Sequence, residues 1–117
     1  MRTVSKSSIT TEKLLPPIGP GEVLLEEFMK PTGLSANRLA KAIGVSVSRV
    51  LGILNGTRGI TADTAMRFSL YFGTTPQVWM NMQAHYDLEL VRRQKLAIMK
   101  KVVSQEWRKE HDRGIAV

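Results

Sequence analysis

The 117-residue sequence contains no cysteine, and this absence removes several classes of site at once. It excludes disulfide bonds, thiol catalysis and zinc or iron–sulfur centres held by thiolates. Long apolar runs are missing too, because no stretch approaches the roughly 20 residues that a helix needs to span a bilayer. The basic start of the chain is not followed by the apolar segment of a secretory signal. We therefore expect a soluble, cytoplasmic protein with no membrane partner.

Motifs of catalysis and of cofactor binding are also missing. The sequence has no Gly-rich phosphate loop, no nucleophile motif and no paired carboxylates. Its two histidines, His85 and His111, lack partners at a spacing suited to metal ligands, although Asp87 and Glu89 lie close to His85. We therefore expect no enzyme activity, no cofactor and no bound metal, and we expect both histidines at the surface.

Acidic residues are few in comparison with basic ones. The chain has 17 Lys and Arg against 10 Asp and Glu, which gives a formal net charge of +7. A positive field attracts phosphates whatever the fold, so this balance favours a nucleic acid as partner. Charge alone also fits an anionic lipid or an acidic protein. The apolar content of 43% is that of an ordinary globular domain with one core.

Composition divides the chain into three segments. Residues 1–17 are rich in Ser, Thr and Lys and end in two prolines, which predicts a flexible arm. This arm is either a frayed terminus or a contact to DNA phosphates through its basic side chains, Arg2, Lys6 and Lys13. Residues 18–91 have helical periodicity, and within them residues 34–55 carry the motif described below. Residues 92–117 form a basic helical extension.

Turn and capping residues divide the helical segment into five helices. Gly19-Pro20-Gly21 opens the first helix, and each later helix follows a hydroxyl side chain suited to an N-cap: Ser35, Ser46, Thr61 and Thr75. The predicted helix ends are Pro31-Thr32-Gly33, Gly44, Asn55-Gly56 and Gly73. No stretch shows the two-residue alternation of a strand, so the predicted fold class is all-α. Apolar spacing continues from Leu88 to Trp107, either in one long fifth helix or in a fifth and a sixth.

Residues 34–55 have the pattern of a helix-turn-helix. Ala40 is small where two helices approach closely, Gly44 supplies the positive φ of a tight turn, and Val45 fills the corner. Val50 and Ile53 are expected to anchor the second of these helices in the core. The remaining positions of that helix form an outward face that we expect to contact DNA bases: Val47, Ser48, Arg49, Leu51 and Gly52.

This outward face suits the major groove of duplex DNA. Small and polar residues at its start let the helix approach the base edges. Val47 and Leu51 can touch thymine methyl groups, and Arg49 can make a bidentate contact to guanine. Polar and basic residues at the edges of the motif are expected to contact phosphates: Arg38, Lys41, Ser46, Asn55, Thr57 and Arg58.

Large side chains recur at helical spacing in the fifth helix: Trp79, Met80, Met82 and Tyr86. Such a cluster could line a ligand pocket, but at this spacing it more often lies in the core or at a dimer interface. We expect core or dimer interface. Asp63, near the start of the fourth helix, is expected to interact with the helix dipole and to take no part in chemistry.

The motif and its flanks resemble a known family. The pattern Leu-Ala-x-x-x-Gly-Val-Ser…Val…Ile-x-Asn-Gly-x-Arg is similar to the lambda-repressor-like (Xre-type) helix-turn-helix. Pro20-Gly21-Glu22 before the motif, and the blocks at residues 58–68 and 72–83 after it, resemble HigA-type antitoxins. The resemblance covers residues 17–91. It departs from the group at Gly19, because the group often has His-Pro-Gly there, and in the length of the basic extension.

The resemblance implies a fold and a set of partners. The fold is a five- to six-helix lambda-repressor-like DNA-binding domain. Composition adds to it the flexible N-terminal arm and the basic C-terminal helix described above. The partners are a second copy of the chain in a homodimer, a palindromic operator in double-stranded DNA, and a HigB-like toxin, which is a RelE-like ribonuclease. The protein would repress its own operon and neutralise the toxin.

Two other functions and three roles for the extension are open at this point. The chain could be a stand-alone Xre-type repressor without a toxin, or a small basic ribonuclease, although the sequence offers neither the strands nor the catalytic cluster of a ribonuclease. Residues 92–117 fit a solvated helix face, a helix that docks the toxin or supports the dimer, or a further DNA contact.

Overall fold

A computed structural model describes residues 15–107 of the chain, and this part contains helices and no strand. The predicted all-α class is confirmed. Most of the predicted N-terminal arm, residues 1–14, and the last ten residues of the extension, 108–117, lie outside the described residues. Five helices follow one another between residues 20 and 102: α1, which begins with Pro20–Val23, α2, Ala36–Ile43, α3, Val47–Asn55, α4, Ala62–Phe72, and α5, Pro76–Val102.

The four predicted capping residues act as N-caps. The hydroxyl oxygens of Ser35, Ser46, Thr61 and Thr75 each accept a hydrogen bond from the backbone N–H three residues later, at 3.1 to 3.4 Å. These bonds satisfy donors that have no partner within the first turn of a helix. At the other end of α2, Gly44 has a φ of 76°, a conformation that favours glycine. Local sequence therefore sets most of the helix boundaries.

The first helix differs from the regular helix that the sequence predicts. After Pro20–Val23 it continues as a π-helix, Leu24–Met29, and ends in a 3-10 turn, Lys30–Thr32. Pro31 accounts for the end of the helix, because proline has no N–H and its ring clashes with the carbonyl four residues earlier. The hydroxyl of Thr32 donates to the Phe28 carbonyl at 2.8 Å and satisfies an acceptor in this last turn.

The core is organised around the indole of Trp79, which is fully buried. Its ring centroid lies 5.2 Å from that of Phe28 in α1 and 4.9 Å from that of Phe68 in α4. The indole N–H donates to the hydroxyl of Thr74 at 2.8 Å, so its one polar group is satisfied. Trp79 therefore lies in the core of the single chain and joins α5 to α1 and α4. Further buried members of this core come from α2 and α3: Leu39, Ala40, Ile43, Val50 and Ile53.

A close backbone contact fixes the start of α1 against the end of α3. A Cβ atom added at Gly21 would lie 2.0 Å from the carbonyl oxygen of Ile53. No side chain fits at this distance, so glycine allows the two backbones to touch. The contact holds the last turn of α3 next to the first turn of α1.

The fifth helix is a single continuous helix of 27 residues, not two helices. Its first part packs on the core through Trp79 and Met82, whereas every residue from 91 to 107 is exposed. After Val102 the chain leaves the helix, and a further helical turn begins at Glu106. None of the helices in residues 15–107 is long and apolar enough to cross a membrane.

We expect Gly21→Ala to destabilise the fold by about 1–3 kcal/mol or more, the usual cost of forcing an extra carbon into a filled space. The methyl group would push α1 away from the Ile53 carbonyl. The free energy of unfolding in urea measures this loss. Gly59→Ala is the control, since its Cβ would meet the amide end of the flexible Gln83 side chain at 3.2 Å. Equal stabilities of the two variants would contradict the prediction.

Candidate nucleic-acid interface

The turn between α2 and α3 has the geometry that the sequence predicts. The backbone N–H groups of Gly44 and Val45 both donate to the Ala40 carbonyl, at 2.9 and 3.0 Å. Ala40 is 1% exposed, and Val45 packs against the core. A larger side chain at Ala40 would separate α2 from α3. The turn is therefore closed by backbone hydrogen bonds and packed against the core by the side chain of Val45.

The predicted base-contacting residues differ in how far they are exposed. Ser48 is exposed and Leu51 is 47% exposed, so both present their side chains to solvent on α3. Val47 is half-buried and packs partly on the core. The side chain of Arg49 is 32% exposed and forms an ion pair within the protein. The outer side of α3 thus offers a small hydroxyl near its start and an apolar side chain at its middle, together with one partly exposed arginine.

Gly52 is not on the outward face, which corrects its predicted position. It is buried, and a Cβ atom there would lie 3.0 Å from the Cβ of Arg58. The Arg58 N–H also donates to the Gly52 carbonyl at 3.0 Å. The loop after α3 folds back over this glycine, so its small size serves a contact inside the protein. The helical spacing of residues in α3 does not predict that the following loop covers Gly52.

The predicted phosphate-contacting residues are all exposed: Arg38, Lys41, Ser46, Asn55, Thr57 and Arg58. Two of them also stabilise local structure. The side-chain oxygen of Asn55 accepts from the backbone N–H of Thr57 at 3.1 Å and from its hydroxyl at 2.8 Å, and the hydroxyl of Ser46 caps α3. Asn55 therefore orders the loop that carries Thr57 and Arg58.

A glutamine that the sequence analysis did not single out holds the far end of this loop. The Ile60 N–H donates to the side-chain oxygen of Gln83 at 2.7 Å, and the amide of Gln83 donates to Asp87 at 2.9 Å. The loop between α3 and α4 is thus attached to α5. No sequence signal links residues 60 and 83, because the bond depends on tertiary packing.

Asp63, near the start of α4, joins this helix to α3. One carboxylate oxygen of Asp63 accepts from Arg49 and from Arg67, each at 2.8 Å. Arg67 also donates to the carbonyl of Ile43 at 2.7 Å, at the end of α2. The hydrogen bond from Arg67, and then that from Arg49, lowers the pKa of the Asp63 carboxyl below its ordinary value of 3.8. The spacing of Asp63 and Arg67 is visible in the sequence, but the link to Arg49 is not.

The residues proposed for the core or a dimer interface take different positions. Trp79 is fully buried and Met82 packs against the core. Tyr86 is half-buried, and a Cβ atom added at Gly19 would lie 3.1 Å from its ring. Met80 is 37% exposed. Residues 15–107 contain no group of three acidic or histidine side chains arranged to hold a metal ion.

The chain is similar in sequence and in fold to several known proteins. A family profile described as a helix-turn-helix matches residues 25–79. A relative from Dichelobacter nodosus, virulence-associated protein I, is 54% identical over 84 residues, which are 72% of this chain and 78% of the relative. A solved HigA-family addiction module antidote protein from Coxiella burnetii is 44% identical with a TM-score of 0.71, covering 77% of this chain and 98% of that one.

The chain belongs to the HigA family of helix-turn-helix proteins. This is a family of DNA-binding antitoxins and regulators, not a class of enzymes. A third match within it is the Pseudomonas aeruginosa antitoxin HigA, whose structure was solved with the higBA promoter. It is 38% identical to this chain with a TM-score of 0.72, covering 75% of this chain and 96% of that one. The predicted family resemblance is thereby confirmed.

We expect the Asp63 ion pairs to make stability depend on pH in the acid range. Because the pKa of Asp63 is lowered in the folded state, its contribution is complete above 3.8 and is lost as the pH falls through the folded value. The urea midpoint of Asp63→Asn should therefore lie below that of the wild type at pH 7, and the difference between the two midpoints should shrink at a pH well below 3.8. High salt should reduce the difference, since the carboxylate is exposed. A difference that is equal at both pH values would contradict this assignment.

Proposed function

We propose that this HigA-family protein is an antitoxin that represses its own operon as a homodimer and neutralises a RelE-like ribonuclease toxin. The DNA-binding part of this proposal rests on the exposed residues of α3. Ser48 and Leu51 are exposed at the start and middle of this helix, which is otherwise anchored by Val50 and Ile53 in the core. A helix held rigidly, with small side chains outward, fits the major groove.

Basic residues surround this surface. Arg38 and Lys41 lie exposed on α2, which crosses the DNA backbone in this class of motif, and Arg58 lies exposed on the loop after α3. The net charge of +7 adds a field that attracts duplex DNA from any direction. Phosphate contacts from both sides of α3 would set the depth of the helix in the groove. Residues 18–91 are the unit to which we assign DNA binding.

A homodimer accounts for recognition of a palindrome. Two copies of α3 entering successive major grooves would be about 34–36 Å apart, one turn of B-DNA. Relatives that were solved with promoter or operator DNA support duplex DNA as the ligand. The toxin part of the proposal is supported by membership of the HigA family, which includes antitoxin HigA-1 of Vibrio cholerae, 38% identical over 72 residues.

Two arginine substitutions separate base contacts from phosphate contacts. Arg49→Ala is expected to lose about 1–3 kcal/mol of discrimination at one base pair per half-site, which is the worth of a bidentate contact to guanine. Arg58→Ala retains the Cβ that covers Gly52. It should weaken binding to all sequences about equally and reduce the salt slope by about one per protomer. Fluorescence anisotropy with single-base operator variants measures both effects.

The matched control for these two variants is Arg92→Ala, which removes a cation of α5 that pairs with Glu89 far along the chain. It should leave discrimination between bases unchanged. If Arg49→Ala bound every operator variant with the wild-type preference, Arg49 would not contact a base. If Arg92→Ala altered that preference as much as Arg49→Ala, the effect would come from net charge.

Co-expression with the product of the neighbouring gene tests the toxin part. We expect a stable complex with a small basic protein whose inhibition of growth is relieved by this chain. A variant truncated before residue 91 is co-expressed in parallel, because it lacks the exposed half of α5 and retains Trp79 in the core. Failure to retain any partner, combined with binding to the DNA upstream of its own gene, would leave a stand-alone repressor.

A further inference from the structure

The carboxylate of Asp63 lies between two arginines that belong to different parts of the helix-turn-helix. Arg49 reaches it from the third position of α3, and Arg67 reaches it from α4 itself, both at 2.8 Å from the same oxygen. Arg49 makes a second, longer contact of 3.5 Å to the hydroxyl of Thr64, which is buried. Arg49 of α3 is thus held by contacts within the protein itself.

Arg67 connects the Asp63 carboxylate to the end of α2. One of its terminal nitrogens donates to the Ile43 carbonyl at 2.7 Å and lies 3.4 Å from the Gly44 carbonyl, at the end of α2. Asp63 is also the second residue of α4, whose first turn is capped by Thr61. The acceptor for Arg49 is therefore fixed to two helices, and its position is part of the scaffold.

This attachment leaves one edge of the Arg49 guanidinium unused. The contacts to Asp63 and Thr64 both use Nη1, and no hydrogen bond within residues 15–107 uses Nε or Nη2. A guanidinium can donate two parallel bonds from its Nε–Nη2 edge, which matches the two acceptors of guanine in the major groove. The attached arginine therefore retains the donors that a base contact requires, while the reach of the side chain toward either phosphate backbone is restricted.

We propose that Asp63 is a specificity-determining positioning residue, which holds Arg49 for contact with a base edge and keeps it from binding phosphates. The proposal rests on the DNA-binding function proposed above. Phosphates are present in every sequence, so an arginine that is free to reach them strengthens binding to the operator and to unrelated DNA alike. An arginine that is restrained in the groove strengthens binding only to sites that place guanine opposite it.

Asp63→Asn tests this role, because it retains the shape of the side chain and removes its charge. The probes are a labelled duplex from the DNA immediately upstream of the chain's own gene and the same duplex with its bases scrambled. We expect scrambled DNA to bind more tightly to the variant, and the ratio of the two affinities to fall about ten-fold, within the worth of one bidentate base contact. The salt slope on scrambled DNA should steepen by about one per protomer, as Arg49 gains a phosphate.

Glu89→Gln is the matched control. Glu89 also accepts from two arginines, Arg92 and Arg93, at 2.9 Å each, and its removal changes the net charge by the same amount. Since both of its ion-pair partners lie on α5 and neither is on α3, it should leave the ratio of affinities unchanged. If Glu89→Gln lowered the ratio as far as Asp63→Asn, the effect would be one of net charge and the proposal would be overturned.

A double-mutant cycle with Arg49→Ala separates positioning from a general effect on the fold. In the Arg49→Ala background, Asp63→Asn should not lower the ratio further, whereas Asp63→Glu in the wild-type background should preserve it. An equal fall in the ratio with and without Arg49 would overturn the proposal. Thermal melts of every variant come first, and Asp63→Ser provides the same loss of charge if Asp63→Asn does not fold.

The result for the wild-type protein distinguishes this proposal from the function on which it rests. If the wild-type chain binds both duplexes equally, the proposed function fails and the role of Asp63 fails with it. If the wild-type chain discriminates between them and Asp63→Asn discriminates equally well, only the role of Asp63 is overturned.

Discussion

The packing of three phenylalanine rings around the indole of Trp79 is the contact on which the rest of the domain depends. Phe28, Phe68 and Phe72 all lie within 6.2 Å of it, centroid to centroid. An aromatic side chain of this size buries about 150–250 Å², a large share of the apolar burial in so small a domain. The apolar faces of α2 and α3 are buried in the same core as this cluster.

Polar contacts then hold α2, α3 and the loop after α3 in place relative to that core. Arg67 binds the last carbonyls of α2, Asp63 binds Arg49 of α3, and Gln83 of α5 binds the backbone at Ile60. Each ion pair is partly exposed and contributes little to stability alone. Their effect is geometric, because they fix the orientation of groups that hydrophobic packing leaves free. Asp63 and Arg67, both on α4, therefore orient the helix-turn-helix.

The two halves of α5 serve different purposes within one helix. The first half supplies Trp79 to the core, and the second, from residue 91 onward, contacts little of the domain. Exposed apolar residues on this second half include Leu96, Ile98, Met99 and Val102, which alternate with Lys and Arg. A helix with such a mixed surface still has apolar area to bury. Binding of the proposed toxin or of a second copy would bury this apolar surface, which the core of the single chain leaves exposed.

The sequence by itself determined the helices, their caps and the position of the helix-turn-helix, because these depend on residues within a few positions of each other. Ser46, Gly44 and Ala40 could be assigned correctly for that reason. It did not determine the π-helical turn of α1, the burial of Gly52 beneath Arg58 or the attachment of Arg49 to Asp63. The last two join α3 to the segments that follow it, and only the tertiary structure, by packing α4 against the motif, decides which side chains meet there.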